Sequence, residues 1–144
     1  MPASLNVLVN DMLDYDVKIL TAFAMTFDNQ GEDFYQWLLN NGYPELAALS
    51  EAIKGSKLAF KWLIDNKYHH LAAIDSVLDG SQNARIWLRK YNFEDLVYLA
   101  DAIKEDRFAI NWFKERNLEI YVFIAKKIEI YLNSKRFNPL KFNF

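Results

Sequence analysis

His69 and His70 are the only histidines of the chain, and they stand side by side. Imidazole exchanges a proton near neutral pH and is the commonest metal ligand, so acid–base or metal chemistry is sought there first. Neighbouring helical side chains point about 100° apart, whereas a metal-binding pair sits at i and i+4 on one face. Asp65 stands four residues before His69, but a turn is expected to separate them, so both histidines read as surface residues at a helix start. A groove near His69 and His70 is where an enzyme or small-molecule binder would be looked for. The spacing of Glu94, Asp95, Asp101, Glu105 and Asp106 puts them at helix ends, solvated rather than matched as acid and base. Cysteine is absent, which removes thiol nucleophiles, disulfides and thiolate zinc sites and fits a reducing compartment. No G-x-G-x-x-G, P-loop, G-x-S-x-G or H-E-x-x-H occurs. The sequence therefore assigns no catalytic, cofactor-binding or metal-ligating residue, and the chain is read as non-enzymatic.

The elements that position these residues are marked by repetition. "AFKWLIDN" at 59–66 returns as "ARIWLRKY" at 84–91 and "AINWFKER" at 109–116, and all four tryptophans, Trp37, Trp62, Trp87 and Trp112, lie 25 residues apart. Leu38, Leu63, Leu88 and Phe113 follow them; Leu46, Leu71, Leu96 and Tyr121 come nine residues after, and Leu49, Ile74, Leu99 and Ile124 twelve after. A further column, Ala52, Val77 and Ala102, is broken only by Lys127. Steps of three and four mark one face of a helix, and each unit shows two such faces. Gly55 and Gly80 fall where a helix end needs a left-handed residue, and Ser56, Ser81 and Asp106 where the next helix needs a capping oxygen. Gly42 and Pro44 suit the turn inside the first pair.

Helices this short are unstable alone, so the pairs must stack and cover one another's apolar stripes. The expected fold is all-α: a right-handed α/α superhelix, or solenoid, of about four 25-residue helix-turn-helix repeats with capping helices. At the level of the helix pair the chain resembles the α-solenoid class in general. Its unit is shorter than the roughly 33 to 47 residues of ankyrin, tetratricopeptide and HEAT units. The tryptophans are expected to plug the space between pairs as the repeat core.

One domain is expected over residues 1–144: an N-terminal cap and degenerate half-repeat over 1–33, repeats over 34–133 and a tail over 134–144. An amphipathic helix is expected around residues 4 to 18. "LTAFAMTFDNQGEDFYQWL" aligns with "LAALSEAIKGSKLAFKWL" if one extra residue precedes the turn. The last helix, lacking a glycine or serine break, is expected to run from about Glu119 to Ser134. It is apolar nearly all round, so the tail, a second copy or a partner must cover it. Asn10, Asp11, Asp14 and Asp16 break the start, which does not read as a secretory signal. No apolar run reaches the roughly 18 residues of a membrane span, and a cytoplasmic location is expected.

Charge separates by helix. The first helices of the later pairs (56–67, 81–92 and 106–117) carry net +6, and the second helices with their turns (68–80, 93–105 and 118–130) carry net -5. Lys57, Lys61, Arg85, Arg89, Arg107 and Lys114 are expected to line a basic side suited to an acidic peptide. The acidic pI of about 5.7 disfavours nucleic acid. Ala48, Ala73, Tyr98 and Phe123 form an outward column that grows aromatic toward the C-terminus, where Tyr98 and Phe123 either extend the sticky C-terminal end or pack under the tail. The reading that unites these features is a non-catalytic adaptor or scaffold binding a macromolecule through one face. A homo-oligomer joined through its C-terminal helix and tail is the other interaction reading.

Overall fold

The computed structural model describes residues 14–136, and all regular structure among them is helical. The helices are α1 (Val17–Met25), α2 (Gly31–Asn40), α3 (Pro44–Ile53), α4 (Lys57–Asp65), α5 (His69–Leu78), α6 (Gln82–Lys90), α7 (Glu94–Ile103), α8 (Arg107–Glu115) and α9 (Glu119–Arg136). The starts of α3, α5, α7 and α9 keep the 25-residue step of the tryptophans.

One kind of turn joins both helices of every pair. Gly42, Lys67, Asn92 and Asn117 have φ of 87°, 70°, 66° and 58°, all left-handed. The next N–H groups, of Tyr43, Tyr68, Phe93 and Leu118, donate back to the carbonyls of Leu38, Leu63, Leu88 and Phe113 at 2.8–2.9 Å. This is the Schellman arrangement, which satisfies carbonyls orphaned at a helix end and brings the residue after the left-handed one onto the last turn. Tyr43 stacks on Trp37, Tyr68 on Trp62 and Phe93 on Trp87, with centroids 6.5, 5.9 and 6.1 Å apart. Trp37, Trp62 and Trp87 therefore seal their turns from outside. Leu38, Leu63, Leu88 and Phe113 are the fully buried residues, while Trp62 is 36% exposed and Trp37, Trp87 and Trp112 are half-buried. The expectation that Trp37, Trp62, Trp87 and Trp112 plug the core is corrected to a place at its margin.

The turns between pairs follow the glycine–serine reading. Gly55 and Gly80 have φ of 109° and 97°. The Ser56 and Ser81 hydroxyls accept from the N–H groups of Ala59 and Ala84, each at 3.0 Å. Asp106 holds the same backbone position but makes no side-chain cap bond.

Burial sorts the helices into two layers. α3, α5 and α7 bury most of their residues, whereas α2, α4, α6 and α8 each bury one or two. The inner helices touch in sequence, α1 to α3, α3 to α5, α5 to α7 and α7 to α9, and each outer helix packs on the two inner helices that flank it in the chain. α9 then packs on α1, so the first and last described helices meet. Phe27 and Tyr131 make an edge contact at 5.7 Å, Lys127 reaches Asp28 at 3.0 Å, and Lys54 Nζ lies 5.5 and 5.6 Å from the Phe27 and Tyr131 centroids. Lys54 also donates to the Thr26 carbonyl at 2.7 Å.

Both ends refine the sequence reading. Asp16 accepts from the Lys18 N–H at 2.8 Å and caps a helix that begins only at Val17. The amphipathic helix expected around residues 4 to 18 therefore does not run through to residue 18, and its first part lies outside the described residues. α1 takes the place of an inner helix, and the longer α1–α2 turn absorbs the extra residue. Gly31 is required there, because a Cβ would stand 2.0 Å from the Thr26 carbonyl oxygen. The last helix runs two residues beyond the expected end, and the tail from 137 lies outside the described residues. Tyr121, Ile124, Ala125 and Ile128 of α9 are buried, so neighbouring helices of the same chain cover its main apolar face.

If the leucine after each tryptophan is the core residue, Leu63→Ala should lower the unfolding free energy by about 3 kcal/mol. Trp62→Ala, losing a half-exposed stacking contact, should lower it by about 1 kcal/mol. Urea denaturation of both variants checks the order, and a larger loss for Trp62→Ala contradicts it.

Candidate interaction surface

The outer layer carries side chains that the core does not use. Leu58, Ile86 and Phe108 are 82, 62 and 66% exposed. Leu58 and Phe108 share a repeat column with Asp33 and Asn83, so apolar residues stand where the other units place polar ones. That signal was present in the sequence and lay outside the buried columns.

Beside Leu58 an open groove runs over α3 between α2 and α4, with Tyr35 and Glu51 also in its lining. It has a volume of about 380 Å³, with Ala47 and Ala48 on its floor and Leu39, Leu58 and Trp62 on its walls. The small side chain of Ala48 keeps it open. Tyr98 holds the same column two units further on, where it stacks on Trp112 at 4.4 Å and touches Phe108 at 5.9 Å. An aromatic side chain thus fills the equivalent space from within. Tyr98 is a half-buried groove filler, while Phe123 is 38% exposed on α9 with Lys127 Nζ 5.7 Å from its ring.

The basic side is partly answered inside the chain. Lys61 pairs with Asp65 at 2.6 Å, Arg89 with Glu94 at 3.2 Å, and the Arg85 fork grips Asp101 at 2.5 and 3.2 Å. The Asp101 bond holds the Arg85 guanidinium charged more firmly than an isolated one. Lys57, Arg107 and Lys114 enter no ion pair among the described residues. Among the acids of the second helices and their turns, Asp75, Asp95 and Glu129 are buried with the inner layer, as is Glu45 of α3, whereas Asp79, Glu105 and Glu119 are exposed at helix ends.

Glu45, His70 and Asp95 share one repeat column at the second residue of an inner helix. Tyr15 donates to Glu45 at 2.5 Å, and burial first, then this carboxylate, pushes the Tyr15 phenol well above its ordinary range. His70 is 4% exposed and stacks on Phe93 at 5.1 Å. The expectation of two surface histidines therefore holds for His69 alone. His70 is drawn in because the aromatic turn residues Tyr68 and Phe93 flank it, a contact that the charged neighbours of its column did not signal. Neither histidine lines the groove beside Leu58, and among the described residues no group of three or more metal-ligating side chains comes together. Also among them, no helix is long and apolar enough to cross a membrane.

No family model, no curated protein and no solved structure matches the chain.

Asp75 is the buried acid with the clearest electrostatic signature. Burial first, and then Asp79, raises its pKa from 3.8 to about 7. Both sit at the C-terminal end of α5, where the helix dipole also disfavours negative charge. The ionisable groups lining the pocket beside it are Asp79 and Lys57. Because the folded pKa lies above the unfolded one, the folded state binds more protons between about pH 4 and 7, and stability falls as pH rises through that window. Asp75→Asn should accordingly stabilise the fold at pH 8, by roughly 1–3 kcal/mol, and differ little from the parent at pH 4. Urea midpoints at the two pH values test this; an equal difference at both removes Asp75 as the source.

Proposed function

We propose that the chain is a non-catalytic protein-interaction module, an adaptor or scaffold, that seats a macromolecular partner against its outer helices. The observation that carries this reading is the open, mainly apolar groove over α3 between α2 and α4, with Leu58 82% exposed on its wall. Exposed apolar side chains beside a concave floor of alanines suit an amphipathic helix or extended segment that inserts an anchor. Tyr98 supports the fit, because an aromatic side chain already occupies the corresponding space two units further on. Glu51 lines the groove and Lys57 adjoins Leu58 in the chain, so charge of both signs stands beside the anchor site. We further read the four units as a short right-handed α/α superhelix whose ends meet, and take the lack of cysteine to accord with a cytoplasmic setting.

The test is affinity capture with the tagged full chain beside Leu58→Glu and Ile130→Glu. Ile130 is 52% exposed on α9, away from the groove lining, so both changes are at the surface and circular dichroism should be unaltered. A partner held by the parent chain and by Ile130→Glu but lost from Leu58→Glu is the expected result. A partner retained by Leu58→Glu and lost from Ile130→Glu would place the contact on α9 and overturn the reading.

A further inference from the structure

A second pocket lies between the α3–α4 turn and the C-terminal end of α5. Its volume is about 420 Å³, and Lys57, Phe60, Asp75, Ser76 and Asp79 line it. Asp75 is 9% exposed, and its carboxyl group makes no hydrogen bond or ion pair among the described residues. Its column otherwise holds Ser50, Ala100 and Ala125, all buried, so a lone carboxylate stands where the other units keep small side chains. Lys57 lines the same pocket without pairing to either acid. A buried carboxylate costs stability unless a cation and hydrogen-bond donors answer it.

The next unit shows what answers a carboxylate here. Arg85 stands in the column of Phe60, and Asp101 in the column of Ser76. There the chain supplies its own guanidinium, which lies in the equivalent place and forks onto Asp101, with both side chains about four-fifths buried. In the pocket of Asp75 that arginine is replaced by a phenyl ring, and the acids move to the adjacent position and to the helix end. We propose that this pocket binds a guanidinium group presented by an arginine of the partner polypeptide, held by Asp75 and Asp79 and stacked on Phe60. Arginine fits better than lysine because its planar fork matches a carboxylate, sheds water more easily and stacks on a ring. Two carboxylates are too few for a divalent ion that seeks about six oxygens.

The choice of a partner's arginine rests on the interaction-module reading, whereas the pocket is tested without any partner. Amide spectra of the full chain are recorded during titration with methylguanidinium chloride, N-acetyl-arginine methylamide, methylammonium chloride and sodium chloride. Saturable shifts at Gly55, Ser56 and residues 75–80 are expected with both guanidinium compounds, weaker ones with methylammonium and none with sodium chloride. Asp75→Asn should weaken binding about tenfold or more, Asp79→Asn should weaken it less, and Lys57→Ala should strengthen it by removing a competing cation. Shifts unchanged by Asp75→Asn, or reproduced by sodium chloride, overturn the proposal. So does binding of methylguanidinium with exclusion of the blocked arginine, which would make this a small-molecule pocket. A failed titration beside successful Leu58-dependent capture removes the pocket and leaves the interaction module standing.

Discussion

Closure of α9 onto α1 is the contact on which the rest of the structure depends. Eight of the nine helices described have only nine or ten residues, and at that length nucleation in water is not repaid without tertiary packing. Each inner helix is covered by its neighbours and by the outer helices, but a row of units leaves a bare apolar face at either end. Here the two ends cover each other. Phe27 against Tyr131 supplies apolar area, and Lys54, bonded to the Thr26 carbonyl and set over both rings, fixes how the ends meet. The Lys127–Asp28 pair is partly solvated, so it guides register more than it adds stability.

The turns make this closure attainable. Four Schellman turns of one geometry set each outer helix against its inner partner, and in the first three the aromatic turn residue lies against the tryptophan. Core packing is thereby delegated to the inner layer and to one leucine or phenylalanine per outer helix. The outward faces of α4, α6 and α8 are free to carry residues that contribute little to the core. Leu58, Ile86 and Phe108 occupy that freedom, and the choice of alanine or tyrosine at Ala48 and Tyr98 decides whether a groove stays open.

What the sequence disclosed was local. Helix pairs, the left-handed glycines Gly55 and Gly80 and the caps Ser56 and Ser81 depend on residues a few positions apart, and spacing reports them directly. Closure joins residues about one hundred positions apart, and its only trace was Lys127, the one polar break in an apolar column, whose partner is Asp28. The buried state of His70 was hidden because it depends on rings in two neighbouring turns. The tryptophans misled because their spacing reports the repeat and not depth; the turn geometry decides which of two adjacent large residues faces inward. Asp75 was legible only as a charge in a column of small residues, and its cost shows only once the inner layer is known.

The most direct test of closure is native-state hydrogen exchange on the full chain and on Phe27→Ala. Phe27 is buried, and its removal should cost about 3 kcal/mol. If the ends lock a single cooperative unit, protection of the slowest amides should fall by about a hundredfold throughout, including α5, which packs mainly on α3, α4, α6 and α7 and not on α1 or α9. A loss confined to α1 and α9, with α5 unchanged, would show that the units stand as a row without needing their ends joined.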